Sequence, residues 1–307
     1  MNIHDRLDKL INEFTQKYID ALSRLKNRGR RSYGFEYEFL PAQILTRDDV
    51  QSVAGLLAEI GFSLNCDGHQ AENGLRVEFE PGGQIEYCSP PLFADDNITF
   101  DSLLSFIRQT NETIRKRLDI EYIGTDIMPG RTEAPLCLTA DRYVKLHDRL
   151  ARVDSRGLEM MKGTASIHLH VVISEFDEIL PLFNLLCSLS SSDEFKMSRE
   201  RKDIWLHTDT TRCGTPPCCF EQLDSSETLI RRLIHFALHA EVVGENVPFV
   251  NSSDLSFDAF LYHMTTLFTD IRFNLKGPTL ELRTMDSMPL AQFRPRWQKF
   301  ISLLERI

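Results

Sequence analysis

Glutamates recur at alternate positions in short, otherwise apolar stretches: GFEYEF at 34–39, RVEFEPGGQIEYCS at 76–89 and PTLELRTMD at 278–286. Histidines take their place in ASIHLHVV at 165–172. Side chains two apart in a strand share a face. Glu36 with Glu38, Glu78 with Glu80, Gln84 with Glu86, His168 with His170, and Glu281 with Arg283 therefore form one polar set. Phe35, Tyr37, Val77, Phe79, Ile85, Tyr87, Ile167, Leu169, Leu280 and Leu282 form the matching apolar set. One E-x-E alone reads as a solvated edge, and one H-x-H as a structural pair. Recurrence in five segments points instead to a shared, metal-dependent site.

The energetics favour that reading. Two carboxylates about 6 Å apart repel by roughly 3 kcal/mol at an effective dielectric near 20. Several such pairs approach the ~5–15 kcal/mol that holds a domain together, and like charges directly opposite on paired strands destabilise the sheet. Arg76 and Arg283 are the visible basic residues on these faces. Divalent cations are the remaining compensation. Carboxylates with one or two imidazoles suit Mg²⁺, or Mn²⁺, better than the thiolate-rich sites of structural zinc.

The elements that carry these residues follow from pattern. Ile3, Leu7, Leu10, Ile11, Phe14 and Leu22 give an amphipathic helix within residues 1–28, ended by the basic run Asn27 to Arg31. Thr46 reads as the N-cap of a helix from Arg47 to Ile60, with Gly61 as its stop. Strands at Leu75–Glu80 and Gln84–Ser89 are joined by Pro81-Gly82-Gly83, a tight turn. A helix over 97–118, a possible strand from Glu121 to Met128 and a helix from Arg142 to Val153 precede the histidine strand at 164–173. Further helical patterns lie at 175–190, 226–240, 256–269 and 291–306. Ile271–Leu275 pairs with Thr279–Thr284 across Lys276-Gly277-Pro278. Strands come as hairpins between long helices, with no βαβ repeat. The expectation is an α+β fold, an antiparallel sheet of about six strands with helices on its apolar face.

The 307 residues accommodate one or two domains, and no repeat or linker divides them. A single catalytic domain over 1–307 is expected, with the helix at 1–28 as an appendage. Lys plus Arg number 35 against 45 Asp plus Glu, a net charge of −10. With no basic stripe bearing aromatics, nucleic acid is excluded as a partner. Apolar runs such as ILPLFNLLCSL are too short to span a bilayer, and Met1 opens a charged helix rather than a signal peptide. A soluble, cytoplasmic protein acting on small molecules is expected, of unknown oligomeric state. Seven cysteines without C-x-x-C spacing suggest reduced thiols rather than disulfides or zinc. Cys218-Cys219 reads as an oxidant-responsive pair or as small apolar residues beside Phe220.

Arg201-Lys202-Asp203-Ile204-Trp205 through Asp209, Arg212, Gly214 and Pro216 reads as a loop. Arg212 could present its guanidinium to a phosphate or carboxylate, or pair with Asp209. Trp205 borders a ligand pocket or packs in a core. No P-loop or Rossmann glycine motif is present.

These segments together resemble the glutamate–cysteine ligases of the plant and proteobacterial type, and the related bacterial carboxylate–amine ligases. Glu80-Pro81-Gly82-Gly83-Gln84-Ile85-Glu86 is similar to that family's E-P-G-G-Q-x-E motif, the most specific match. Gly34 to Glu38 looks like its first metal strand, and His168 and His170 resemble the H-x-H of the carboxylate–amine group. Ile204-Trp205 through Pro217 resembles I-W-x-D-x-D-x-x-R-x-G-x-x-P. His263 to Phe268 and Leu280 to Asp286 resemble H-L-T-T-I-F and L-E-x-R-x-x-D. The resemblance implies a curved, glutamine-synthetase-like sheet and an ATP-dependent ligase in which a phosphorylated carboxylate is attacked by an amine. It implies Mg²⁺ at Glu36, Glu38, Glu80, Glu86, His168 and Glu281. Arg212 and Arg283 would be the catalytic cations, and His170, Arg201, Trp205 and Gln84 the ATP contacts. Glutamate plus cysteine is the expected substrate pair. Another amine, amino acid or peptide acceptor is the alternative, and a non-catalytic nucleotide- or metal-binding relative the third reading.

Overall fold

Alternation becomes sheet, and 3.6-residue periodicity becomes helix, along most of the chain. The computed structural model describes residues 3–24, 29–66, 68–274 and 278–307. In chain order the helices are α1 (Ile3–Arg24), α2 (Arg47–Glu59), α3 (Asn97–Leu118), α4 (Asp141–Val153), α5 (Gly157–Gly163), α6 (Ile179–Leu189), α7 (Arg199–Leu206), α8 (Ser226–His239), α9 (Phe257–Met264) and α10 (Phe293–Leu304). The strands are β1 (Tyr33–Pro41), β2 (Ser63–Asn65), β3 (Gly68–Gln70), β4 (Arg76–Phe79), β5 (Ile85–Cys88), β6 (Tyr122–Ile123), β7 (Ser166–Val172), β8 (Cys213–Gly214), β9 (Phe268–Thr269), β10 (Ile271–Asn274) and β11 (Thr279–Asp286). Thr46 caps α2 in a reciprocal box with Asp49, as its position suggests. Residues 25–28, which hold part of the expected helix stop, and Leu275, Lys276 and Gly277 of the last hairpin lie outside the described residues.

The sheet runs β10-β11-β7-β1-β5-β4-β3-β2, with β6 beside the end of β1, and its pairs are antiparallel. It has nine strands rather than about six. Strands β2 and β3 were not expected, and at three residues each they are too short to show alternation. The expected strand at 121–128 shrinks to Tyr122–Ile123.

The apolar face is covered as expected. Phe35 and Tyr37 of β1 meet Phe293 of α10 edge-on at 5.3 and 5.0 Å. Phe100 of α3 stacks on Trp297 at 5.2 Å. Helix α1 is anchored by fully buried Phe14, whose ring lies 4.7 Å from Phe260. Full burial of a side chain this size contributes about 1.5–3 kcal/mol.

Other helices stand over the polar face. Leu146 and Leu150 of α4, Met160 and Met161 of α5 and Ile204 of α7 form a second, separate apolar cluster. Helix α7 falls where a loop was expected. Ser198 caps it, its hydroxyl accepting from the Arg201 amide at 3.2 Å. Its charged sequence shows only Ile204 as a fully buried apolar anchor, too little for periodicity to register. The cysteines also depart from expectation. Cys187, near the end of α6, is disulfide-bonded to Cys219, with Cα atoms 5.5 Å apart. Tertiary packing brings together two residues 32 apart in sequence, which spacing rules cannot register. Cys66, Cys88, Cys137, Cys213 and Cys218 carry thiols. Among the described residues no helix is long and apolar enough to cross a membrane.

Candidate active site

Register brings the alternating polar residues into rows. Glu36 of β1 faces His168 of β7 on one side and Cys88 of β5 on the other, and Cys88 faces Arg76 of β4. In the next row Glu38 faces Glu86, and Glu86 faces Glu78. Glu281 of β11 faces His170 of β7 and Arg272 of β10. Glutamates from β1, β4 and β5 together with His168 and Arg283 line one cavity of about 620 Å³. Its opposite wall is apolar, with Tyr143, Leu146, Met160, Met161, Trp205 and Phe268.

The turn that begins β5 is fixed by glycine. A Cβ on Gly82 would stand 2.5 Å from the carbonyl oxygen of Lys162. Gly83 has φ +83°, which disfavours any L side chain. Gln84 locks this turn. Its carbonyl accepts from the Gly82 amide at 2.8 Å, and its amide donates to the carbonyls of Met161 and Thr164 at 3.2 Å. Gln84 thus borders the cavity with its amide group already engaged by backbone.

Hydrogen bonds orient the imidazoles. Glu36 is an acceptor, so His168 Nδ1 carries the proton it donates at 2.7 Å, while Nε2 lies 2.8 Å from the Ser166 hydroxyl, which itself donates to Glu38 at 3.1 Å. The Ser166 amide donates to Glu38 at 2.7 Å. His170 Nε2 lies 3.3 Å from Glu36 without hydrogen-bond alignment, and its Nδ1 lies 3.8 Å from Glu281 Oε1. Glu281 is fully buried. Arg272 and Arg283 both meet its Oε2 at 2.9 Å, while among the described residues Oε1 has no hydrogen-bond partner.

Charge crowding splits the acids into two groups. Burial, with Glu38 and Glu78 nearby, raises Glu80 to about 8. Burial, then Glu36 and Glu80, pushes Glu86 well above the usual carboxylate range. Burial also opposes ionisation of Glu36, but His170 and His168 outweigh it and hold it well below that range. For Glu281, burial is outweighed by Arg272 and His170, and its pKa is lowered. Burial and Arg283 lower His168, whereas Glu36 and Glu281 overcome burial to raise His170.

Two expected contacts stand behind the cavity. Arg201 is fully buried and donates to the carbonyls of Ala165, Arg283, Thr284 and Met285 at 3.1–3.2 Å. These acceptors surround the register shift between Leu282 and Met285, so Arg201 clasps the bulge next to Arg283. Its guanidinium lies over Trp205, which does line the cavity. Arg212 is also fully buried and pairs with Asp209 at 2.6 Å, the second of its two expected readings. It donates further to Thr266 and to the Glu241 carbonyl, and Arg149 meets the same Asp209 oxygen. Arg283, in contrast, borders the cavity and touches both Glu281 and His168.

Among the described residues three trios hold ligand atoms within 4.8 Å of one another: Glu38–Glu86–His168, Glu36–His170–Glu281 and Glu36–Glu86–Cys88. Sequence reasoning missed Cys88, Ser166 and Arg272. Cys88 continues the alternation of Gln84 and Glu86, and Ser166 that of His168 and His170, so both were in view. Arg272 needed the β10–β11 register.

The model of glutamate-cysteine ligase family 2 (GCS2) matches residues 32–295, and the chain belongs to this family. It is 24% identical over 300 residues to glutamate–cysteine ligase A, chloroplastic, of Oryza sativa subsp. indica, covering 84% of this chain and 58% of that protein. Against the chloroplastic glutamate–cysteine ligase of Solanum lycopersicum, identity is 24% over 246 residues, 69% of this chain and 46% of the relative. The putative glutamate–cysteine ligase 2-1 of Mycolicibacterium vanbaalenii is 24% identical over 260 residues, 84% of this chain and 61% of the relative. The chain thus spans about half the length of the plant proteins it matches. The resemblance drawn from E-P-G-G-Q-x-E holds at the level of the family.

Proposed function

We propose that residues 1–307 form one catalytic domain of an ATP- and Mg²⁺-dependent ligase, built on a curved, glutamine-synthetase-like sheet. It joins the γ-carboxylate of glutamate to the amine of cysteine through an acyl phosphate. The observation that carries this reading is the gathering of five glutamates and a histidine, from β1, β4, β5, β7 and the turn after β4, around one cavity of a chain in this family.

The donors suit the metal. Oxygen and imidazole are hard ligands of the kind Mg²⁺ or Mn²⁺ takes. Buried Glu281 Oε1 has no hydrogen-bond partner among the described residues, which suits a cation ligand. Glu36, Glu38, Glu80, Glu86, His168 and Glu281 would hold the cations, which when bound neutralise phosphoryl charge. Arg283 offers its guanidinium to a phosphoryl oxygen or a substrate carboxylate. His170 and Trp205 are the nucleotide contacts in this reading. Gln84, Arg201 and Arg212 act by positioning, through the turn, the bulge and the Asp209 brace. The helices over the polar face exclude water, which protects an acyl phosphate from hydrolysis.

A second acceptor class has its own support. The apolar wall of Leu146, Met160, Met161 and Phe268 favours an amine with an apolar side chain over a small polar one. Purified protein with ATP, Mg²⁺, glutamate and a panel of amines separates these readings. ADP release requiring glutamate and cysteine together supports the first, and release with another amine selects the second. Absence of turnover with every pair refutes both and leaves a non-catalytic relative.

A further inference from the structure

Cys88 stands on the carboxylate face itself, and no step of the proposed ligase chemistry uses it. Its Sγ lies 3.3 Å from Glu86 Oε1, and it faces Glu36 across the β1–β5 pair. One ligand atom from each of Glu36, Glu86 and Cys88 fits within 4.8 Å. In a tetrahedral zinc site, metal–sulfur and metal–oxygen bonds of about 2.3 and 2.0 Å set the S···O edge at roughly 3.5 Å. The Cys88–Glu86 separation is already close to that edge.

A second observation is the state of Glu86. It is only 7% exposed, and among the described residues its one hydrogen bond comes from the Cys88 thiol, with no ion pair within 4 Å. A buried carboxylate with no cationic partner outside the trio is expensive. Magnesium has little use for sulfur, whereas zinc-class cations bind thiolate and carboxylate together.

We infer that Glu36, Glu86 and Cys88 form a cation position selective for thiophilic divalent metals of the zinc class, at the edge of the magnesium face. Binding replaces the thiol proton and any proton on the Glu86 carboxyl, both released to solvent, with metal–sulfur and metal–oxygen bonds, and no oxidant or reductant takes part. Glu36 and Glu86 are shared with the proposed magnesium ligands, so the thiophilic cation competes with magnesium. The inference rests on the metal-binding half of the proposed function and not on the ligase reaction.

The test is spectroscopic. Purified full-length protein is titrated with Co²⁺, which reports sulfur ligation by thiolate-to-metal charge-transfer absorption, and then with Zn²⁺ in competition. The wild type is expected to develop this absorption at one equivalent, and Cys88→Ser and Cys88→Ala to lose it. Zinc affinity should fall at least about tenfold, because even an outer-shell partner of a metal ligand is typically worth that much. An equal absorption in both variants would assign the sulfur to another free cysteine and overturn the inference, as would no absorption in the wild type. Should neither variant fold, X-ray absorption at the zinc edge of the wild type decides. One sulfur at about 2.3 Å with oxygen neighbours supports the site, and an oxygen–nitrogen shell alone rejects it. None of these readouts depends on turnover, so they stand or fall apart from the amine-panel assay.

Discussion

Without divalent cations, stability should fall as pH rises from about 5.5 to 8. Glu80 is the clearest contributor, with a folded pKa of about 8 against an ordinary value near 4.5. Between these values the folded state holds a proton that the unfolded state has released, so folding is favoured at the acid end and loses support toward pH 8. Glu86 is raised for the same reason and adds in the same direction. His170, also raised, gives stability that is full below its unfolded pKa and is lost as pH climbs through the folded one. His168 is lowered and opposes them, gaining stability as pH rises through about 6.5. Glu36 is depressed, and its contribution is lost only at more acid pH, outside the window. At 1.36 kcal/mol per unit, Glu80 alone is worth about 3 kcal/mol across the window. In a chain of this size that is roughly 5 °C in Tm. Thermal denaturation in EDTA at pH 5.5, 7 and 8 reads the slope, and the same series in millimolar Mg²⁺ should flatten it. A melting temperature that rises with pH in EDTA, or one that Mg²⁺ leaves unchanged at pH 8, would refute the crowding argument.

Glu281→Gln should abolish ADP release and lower stability by about 3–5 kcal/mol, because Arg272 and Arg283 lose a buried counter-charge. Retained turnover in a folded Glu281→Gln protein would contradict its placing among the metal ligands. Gly82→Ala forces a Cβ against the Lys162 carbonyl and should cost at least about 2 kcal/mol, seen as a lower urea midpoint. An unchanged midpoint would show that the turn relaxes freely. Denatured, unreduced protein should titrate five thiols per chain, and reduction should reveal two more. Opening the 32-residue loop should cost up to about 4 kcal/mol. Seven thiols before reduction would count against the Cys187–Cys219 bond.

Much of the site was legible because a strand's period of two leaves a plain mark in sequence. The spacing of Glu36 with Glu38, or of His168 with His170, fixes a shared face whatever the rest of the fold does. Caps such as Thr46 are equally local, and α2 begins where the sequence places it. Sequence spacing could not show which polar residues reach the cavity and which stand behind it. Arg201, Arg212 and Arg283 are the same residue type in similarly suggestive motifs. Only tertiary packing reveals that the first two spend their donors on carbonyls, Asp209 and Thr266, while the third borders the cavity. Helix α7 and the disulfide were missed for a related reason, since each depends on partners distant in sequence.

The most direct measurement uses glutamate labelled with ¹⁸O in its γ-carboxylate, incubated with ATP, Mg²⁺ and the acceptor amine that supports turnover. An acyl phosphate transfers one carboxylate oxygen to phosphate, so each inorganic phosphate released should carry one ¹⁸O. Phosphate released at the same rate without label, or ATP cleavage indifferent to glutamate, would contradict carboxylate activation at this face.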